Sequence, residues 1–471
     1  MTSPADQRTR ARGTRSRLVI ALASMAIAAT GIGIANAQIP DTNTSAVHGC
    51  YSTSGGALRV IDYDAGQRCT ATERSLTWSH TTPQGQLQPV RAPLGDFKPV
   101  AASTKASNIM VAQDSTRVTG WNAYTSVLRE TRDEGATWVD VHTFSGQSTE
   151  SVTPLANGEL LVSTTDGKNQ RRMYVSSGYP SLKAGATWTQ VLSGSSVYVK
   201  FTSAWSISTH ENIVVVNEYG PKAGETWAGS VSPIPEGKNA RYTYLSLDYG
   251  KTWRTIFDLN AHLSALGRTT NGQHLHGVAW DPWWDRIWIS FGDNYGGKAS
   301  NGILYSDDLG ASWKTAHFYS GPAPYSQVVG IVPMPGCILF AGDMEPSGIM
   351  RIDRSQGKDR STPYQLATAY DHPDTNMKHL GQAISYTNRV GDDPVALFGF
   401  GAEGTTAPSF ILATFDGYNI RKVWQDSSPQ AAGYGIRNIV GPTLRGNMIV
   451  ASNDQRVAGM WTQWKGKALG Y

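Results

Sequence analysis

Ser246-Leu-Asp248-Tyr-Gly250-Lys-Thr252-Trp253 (SLDYGKTW) decides the fold, because its pattern, Ser/Thr-x-Asp-x-Gly-x-Thr/Ser-Trp, returns along the chain. Thr131 to Trp138 (TRDEGATW) and Ser306 to Trp313 (SDDLGASW) keep every key position. Ser181 to Trp188 (SLKAGATW) keeps all but the acid, which is Lys183. A worn copy stands at Thr414-Phe-Asp416-Gly417, with its tryptophan displaced to Trp424. Each copy lies between strand-like runs such as YTSVLRE, RYTYL and GILY, which places it on a hairpin turn. There Asp133, Asp248 and Asp308 accept hydrogen bonds from turn amides and glycine supplies the unusual backbone angle. Trp138, Trp188, Trp253 and Trp313 anchor the returning strands.

A second repeat runs through the chain independently of these turns. An apolar strand, a short turn and a second strand ending in an acid recur, the acids being Asp114, Asp166, Glu218, Asp293, Asp343, Glu403 and Asp454. Their spacings are 52, 52, 75, 50, 60 and 51 residues. A period of this size with about four strands per unit predicts a β-propeller, and the units number seven. Each blade is written as strands A to D from the channel outward. The seventh lacks an outer strand, and the segment near Leu87 to Val90 is expected to supply it and close the ring, hiding its edges.

The repeated octapeptide is similar to the Asp-box, or BNR repeat, and residues 89–471 resemble an Asp-box β-propeller of the sialidase superfamily. The resemblance implies an all-β, seven-bladed propeller, with six blades as the alternative. It also provides a catalytic pattern to look for: an Arg-Ile-Pro signature, two further arginines, a Tyr/Glu nucleophile pair and an acid/base Asp. Val90-Arg91-Ala92-Pro93 stands at a suitable distance before the first box, and Arg437 suits a late arginine, but no full set of three arginines is present. Seven blades also depart from the six of catalytic sialidase domains. Propellers of seven Asp-box blades occur among xyloglucan-cleaving hydrolases, polysaccharide lyases and non-catalytic assembly factors, so fold does not settle function.

The N-terminus reads as an export signal. Arg8, Arg10, Arg12, Arg15 and Arg17 precede an apolar run from Leu18 to Ile34, and Ala35-Asn36-Ala37 is a small-x-small cleavage site. Removing residues 1–37 takes away five arginines and one aspartate, which lowers the formal net charge from +4 to zero. Nucleic acid is therefore not expected as a partner, nor is a membrane once the signal is cleaved. Residues 38–80 form a small module, with a Cys50–Cys69 disulfide expected in an oxidising compartment, and residues 81–88 form a linker. Cys337, in the apolar run CILFAG, reads as a buried thiol. The expected product is a secreted monomer, with no cofactor and no metal.

Antiparallel strands put the start of A and the end of B on one face, opposite the boxes. That box-free face collects His274, His276, Gln327, Gln382 and Arg437 together with the acids. Two carboxylates about 5 to 10 Å apart serve glycosidic cleavage, and Glu218, Asp293 and Asp343 are the candidates, assisted by His274 and His276. Arg91, Gln327, Gln382 and Arg437 are candidate substrate-binding residues. The leading expectation is a glycoside hydrolase acting on an extracellular glycan. The alternative is a non-catalytic propeller that binds a surface glycan or a surface protein. A polysaccharide lyase using His276 with Tyr219 comes third.

Overall fold

Short β-branched and aromatic runs separated by Gly- and Asp-bearing turns pair into seven antiparallel sheets of a propeller, besides one small sheet near the N-terminus. The computed structural model describes residues 46–79 and, between 97 and 464, all but several segments, the longest being 221–233. The expected leader and linker lie outside the described residues. The chain divides into two units, Met1–Gln86 and Leu87–Tyr471.

In the first unit, Ala46–Ser52 lies between Leu58–Ile61 and Glu73–Ser79. His48, Cys50, Arg59 and Ile61 share one face, because His48 sits opposite Ile61 and Cys50 opposite Arg59. The following loop folds towards that face: Cys50 is bonded to Cys69, the His48 and Tyr63 rings stack at 4.1 Å, and Arg59 pairs with Glu73 at 2.8 Å. A sheet this small buries little, so the cross-link contributes where apolar burial cannot.

In the second unit, blade 3 shows the general plan: A is Ile207–His210, B Ile213–Asn217, C Tyr242–Ser246 and D Arg254–Asp258, hydrogen-bonded in that order. Blade 4 runs His274–Asp281, Arg286–Gly292, Lys298–Ser306 and Lys314–Gly321. Blade 5 runs Val328–Pro333, Cys337–Gly342, Gly348–Asp353 and Ala367–Asp371. Strands A and B of blade 4 are buried along their whole length, as expected for a sheet covered on both faces by its neighbours.

Two expectations are corrected at the point of closure. The outer strand of blade 7 is Phe97–Ala102, paired antiparallel with Met460–Trp464, not the stretch near Leu87 to Val90. As a result Met110–Asp114 is strand A of blade 1, beside Thr119–Asn122, and packs against the inner strands Gln147–Pro154 and Ile436–Val440. Asp114 therefore ends an A strand on the box side and does not belong with the acids that end B strands. The run NIMVAQD has the composition of a B strand, and only the pairing partner distinguishes the two. The count of seven blades is unchanged.

The repeated turns close as their composition requires. Asp248 accepts from the Thr252 amide at 2.9 Å, the Thr252 hydroxyl at 2.7 Å and the Ser246 hydroxyl at 2.7 Å. Asp308 is held in the same way by Ser312 and Ser306, and Asp133 by Thr137 and Thr131. Tyr249 and Gly250, like Leu309 and Gly310, take the left-handed backbone that this tight turn demands. The hydrogen bond from the Ser312 hydroxyl, then that from its amide, holds the Asp308 carboxyl down at about 2.

Blades 4 and 5 are joined by a buried ion pair. Arg354, in the 3-10 turn Arg354–Gln356 after strand C of blade 5, makes a two-pronged contact with Asp281 at 2.8 and 2.9 Å and also donates to the Met334 carbonyl. Asp281 further accepts from Trp288 Nε1 and the Trp283 amide. Nearby, the buried Arg286 pairs with Asp307 and donates to Tyr364, with its guanidinium 3.9 Å from the centre of the Tyr305 ring.

Replacing Arg354 by Met should leave Asp281 as an uncompensated buried charge. The expected loss in chemical denaturation is about 3–5 kcal/mol, partly recovered in Arg354→Met/Asp281→Asn. A depressed carboxyl stabilises the fold above its unfolded value and loses that contribution as pH falls through its folded value. Asp308→Asn should therefore be less stable than the parent at neutral pH, with the difference shrinking from about pH 4 towards pH 2 in pH-dependent melts.

Candidate functional site

Strand B of blade 3 (IVVVN) is a buried β-branched run, and where it ends the chain turns over the box-free face through Glu218, Tyr219 and Gly220. Glu218 is fully buried. Its Oε1 accepts from the Ser195 amide at 2.8 Å and the Tyr244 hydroxyl at 2.9 Å, while Oε2 accepts from the amides of Arg241 and Tyr242 at 3.2 Å each. The carboxylate thus closes the start of strand C and the segment that enters blade 3. Burial, and then the charge of Glu218, raise the Tyr244 phenol above its ordinary value. The equivalent acid of blade 2, Asp166, pairs with Arg172 of the adjoining strand at 3.1 Å.

Strand A of blade 4 brings together the two histidines at its start. Both are buried, and their Nε2 atoms lie 2.8 Å apart. Nδ1 of His274 bonds the Gly220 carbonyl of blade 3, and Nδ1 of His276 lies 3.2 Å from the Val328 carbonyl of blade 5. The Tyr219 ring lies 5.5 Å from that of His274 and meets the Trp205 ring edge-on at 5.3 Å. Tyr219 is thus packed against the His274 ring.

Asp293, Asp343 and Arg91 lie outside the described residues, as do Glu403 and Asp454. Gln382 and Arg437 fall on strand A of blades 6 and 7. Gln327 is buried immediately before strand A of blade 5. The helix Leu259–Ala265, capped by Asp258, fills part of the insertion between blades 3 and 4 on this face, its first amide bonded to the Arg241 carbonyl. Three residues not singled out from the sequence stand partly exposed here: Tyr198, Arg241 and Tyr242. Tyr242 was hidden inside the strand-like run RYTYL, although its place opposite the end of strand B is the signal that assigns it to this face. Lys200 and Tyr219 exchange backbone hydrogen bonds, and the Glu218 amide bonds the Tyr242 carbonyl, so these segments meet at one end of the blade. Among the described residues, the one cluster of metal-type side chains is Cys50, Cys69 and Glu73, and its cysteines are spent in the disulfide.

No protein-family model matches the sequence, and no curated protein matches it. Solved structures similar to this chain include YCF48 from Cyanidioschyzon merolae, at 13% identity over 78% of this chain and 99% of that one, with a TM-score of 0.46. A streptogramin B lyase is 12% identical over 79% and 95% of the two chains, with a TM-score of 0.44. The Hadza microbial sialidase Hz136 is 12% identical over 72% and 73%, with a TM-score of 0.40.

Glu218→Gln keeps the shape but turns an amide group towards backbone donors. The expected cost is about 3 kcal/mol of stability, measured by denaturant unfolding.

Proposed function

We propose that this chain is an exported Asp-box propeller of the sialidase superfamily that binds an extracellular glycan at its box-free face without cleaving it. The observation that carries this reading is the state of Glu218. A hydrolytic carboxylate must reach a glycosidic oxygen or a sugar carbon, whereas this one is fully buried and accepts four hydrogen bonds from the protein. The partly exposed Tyr198, Tyr219 and Tyr242 around it offer flat apolar surfaces with polar tips, and Arg241 adds hydrogen-bond donors. Such a surface suits sugar rings better than it suits a reaction. The turn hydrogen bonds of Asp133, Asp248 and Asp308 support the Asp-box assignment, and the Cys50–Cys69 bond supports export.

The test uses the chain from residue 38 onward, incubated with a panel of polysaccharides and sialosides. The expected outcome is retention on at least one immobilised glycan with no release of reducing ends. Binding to that glycan should weaken about tenfold, or about 1.4 kcal/mol, in Tyr219→Ala. Reducing ends released by the parent and not by a folded Glu218→Gln variant would overturn the reading in favour of a hydrolase. A panel that yields neither binding nor cleavage would overturn it in favour of a protein partner.

A further inference from the structure

The helix Leu259–Ala265 is fastened between blades 3 and 4 by one side only. Leu259 and Leu263 are fully buried in the core that the two blades share, together with Phe257 and Phe291. Its last turn is closed by the amides of Leu266, Gly267 and Arg268, with Gly267 in the left-handed region. Its first turn is tied to the box-free face. Asn260 and Asn239 exchange side-chain hydrogen bonds at 3.1 Å, and the Leu259 amide donates to the Arg241 carbonyl. The amides of Arg241 and Tyr242 are in turn held by Glu218.

His262 is the titratable side chain of this helix. Its ring lies 5.4 Å from that of Phe257, in the last strand of blade 3, and 6.4 Å from that of Phe291, in strand B of blade 4. Nε2 is buried, and no described residue hydrogen-bonds it. A neutral ring can keep its proton on Nδ1, whereas an imidazolium carries N–H on both nitrogens and needs an acceptor at each. The phenyl rings around Nε2 have no lone pair to offer.

We infer that His262 is an acid-sensitive latch: protonation of its ring releases the helix Leu259–Ala265 from blade 4 and loosens the segment that carries Arg241 and Tyr242. The bearing on Arg241 and Tyr242 rests on the function proposed above, whereas the latch does not.

The charged groups on the elements packed around the ring are otherwise engaged. On the last strand of blade 3, the Asp258 carboxylate accepts from the amides of Asn260 and Ala261, and Arg254 reaches the Leu309 carbonyl. On strand B of blade 4, Arg286 is paired with Asp307 at the far end. On the outer strand of blade 4, Lys314 pairs with Asp307 and His317 stands on the opposite face from Phe318. The Arg268 guanidinium lies 3.7 Å from the centre of the Phe318 ring. Asp293, which follows strand B of blade 4, lies outside the described residues. A carboxylate reaching the His262 ring would raise its titration above the ordinary value, which the test below reads.

The sign follows from linkage. Burial lowers His262 in the docked helix, and the released helix returns it to its ordinary value of about 6.5. Docking is therefore at full strength well above about pH 6.5 and weakens as pH falls through it, by at most about tenfold in the opening equilibrium per pH unit. The weakening stops once the docked ring also takes up the proton. Burial lowers His142 and His317 too, but both are common to parent and variant.

The test follows hydrogen exchange of the chain from residue 38 onward and of His262→Phe, which keeps a ring and cannot titrate. After correction for intrinsic rates, protection of the Leu266 and Arg268 amides should fall severalfold between pH 7 and pH 5 in the parent and hold in the variant. Strand Ile213–Asn217 should keep its protection in both. The same pH dependence in parent and variant would overturn the latch. A second measurement needs no variant: the histidine ring with an Overhauser contact to Phe257 should titrate below about pH 6.5, and titration at or above that value would overturn the latch. Glycan retention that falls with the helix in the parent and holds in His262→Phe supports the link to Arg241 and Tyr242, and retention unchanged to pH 5 while the helix opens would overturn that link alone. A chain that holds no glycan at any pH counts against the proposed function, and the exchange experiment still decides the latch.

Discussion

A propeller blade is apolar on both faces, so each sheet depends on the next for burial. Hydrophobic contact has no direction and does not by itself fix how far one blade is turned against another. Buried polar groups supply that direction. Ser163 in blade 2 donates to the Phe201 carbonyl at 2.9 Å, Asn217 in blade 3 to the Gly277 carbonyl at 2.9 Å, and Ser290 in blade 4 to the Val328 carbonyl at 2.7 Å. In each case a side chain of strand B reaches the inner backbone of the following blade. A buried donor that missed its acceptor would cost more than the bond contributes, so the stitches reject a wrong rotation.

The outer rim is tied by the repeated turns, which act between blades as well as within them. A Cβ on Gly250 would lie against Leu161 of blade 2, one on Gly310 would run into Ile256 of blade 3, and one on Gly417 into Cys337 of blade 5. Each turn glycine thus rests on the blade before it. Trp313 Nε1 donates to the Ile256 carbonyl, and Arg254 reaches the Leu309 carbonyl within the next turn. This explains why the worn copy in blade 6 keeps Gly417 while its tryptophan has moved. It also gives Cys337 its role as a small buried packing partner, with a thiol that burial pushes up to about 12.

The parts of the fold legible in the sequence are those fixed by local chemistry. Asp248, Gly250 and Thr252 specify their turn within a few residues, and the disulfide joins the two cysteines of one short module. Ring closure depends on the partner that Phe97–Ala102 takes, which composition does not encode, and the place of Met110–Asp114 as strand A of blade 1 follows from it. At the candidate site, the side-by-side placement of His274 and His276 follows from strand alternation. Their bonds to Gly220 and Val328 do not, because those atoms lie in the backbones of other blades.

The recurring acid shows why a repeat misleads about function. Where strand B ends and strand C begins, backbone amides converge with no strand left to accept from them, and a carboxylate satisfies several at once through charge-assisted bonds. Glu218 does this for Arg241, Tyr242 and Ser195, whereas the equivalent acid of blade 2, Asp166, pairs with the Arg172 side chain. An acid that recurs at a strand end and is taken up by the protein around it carries no information about a ligand, which meets only one part of the ring. Function is better sought where the repeat is broken. In this chain that is the insertion after Glu218 and the histidine pair at the start of strand A in blade 4. There Tyr219 stays partly exposed, and two buried rings are spent on a contact for which blades 2 and 3 show no counterpart, the matching strands carrying QSTESVTP and ISTH.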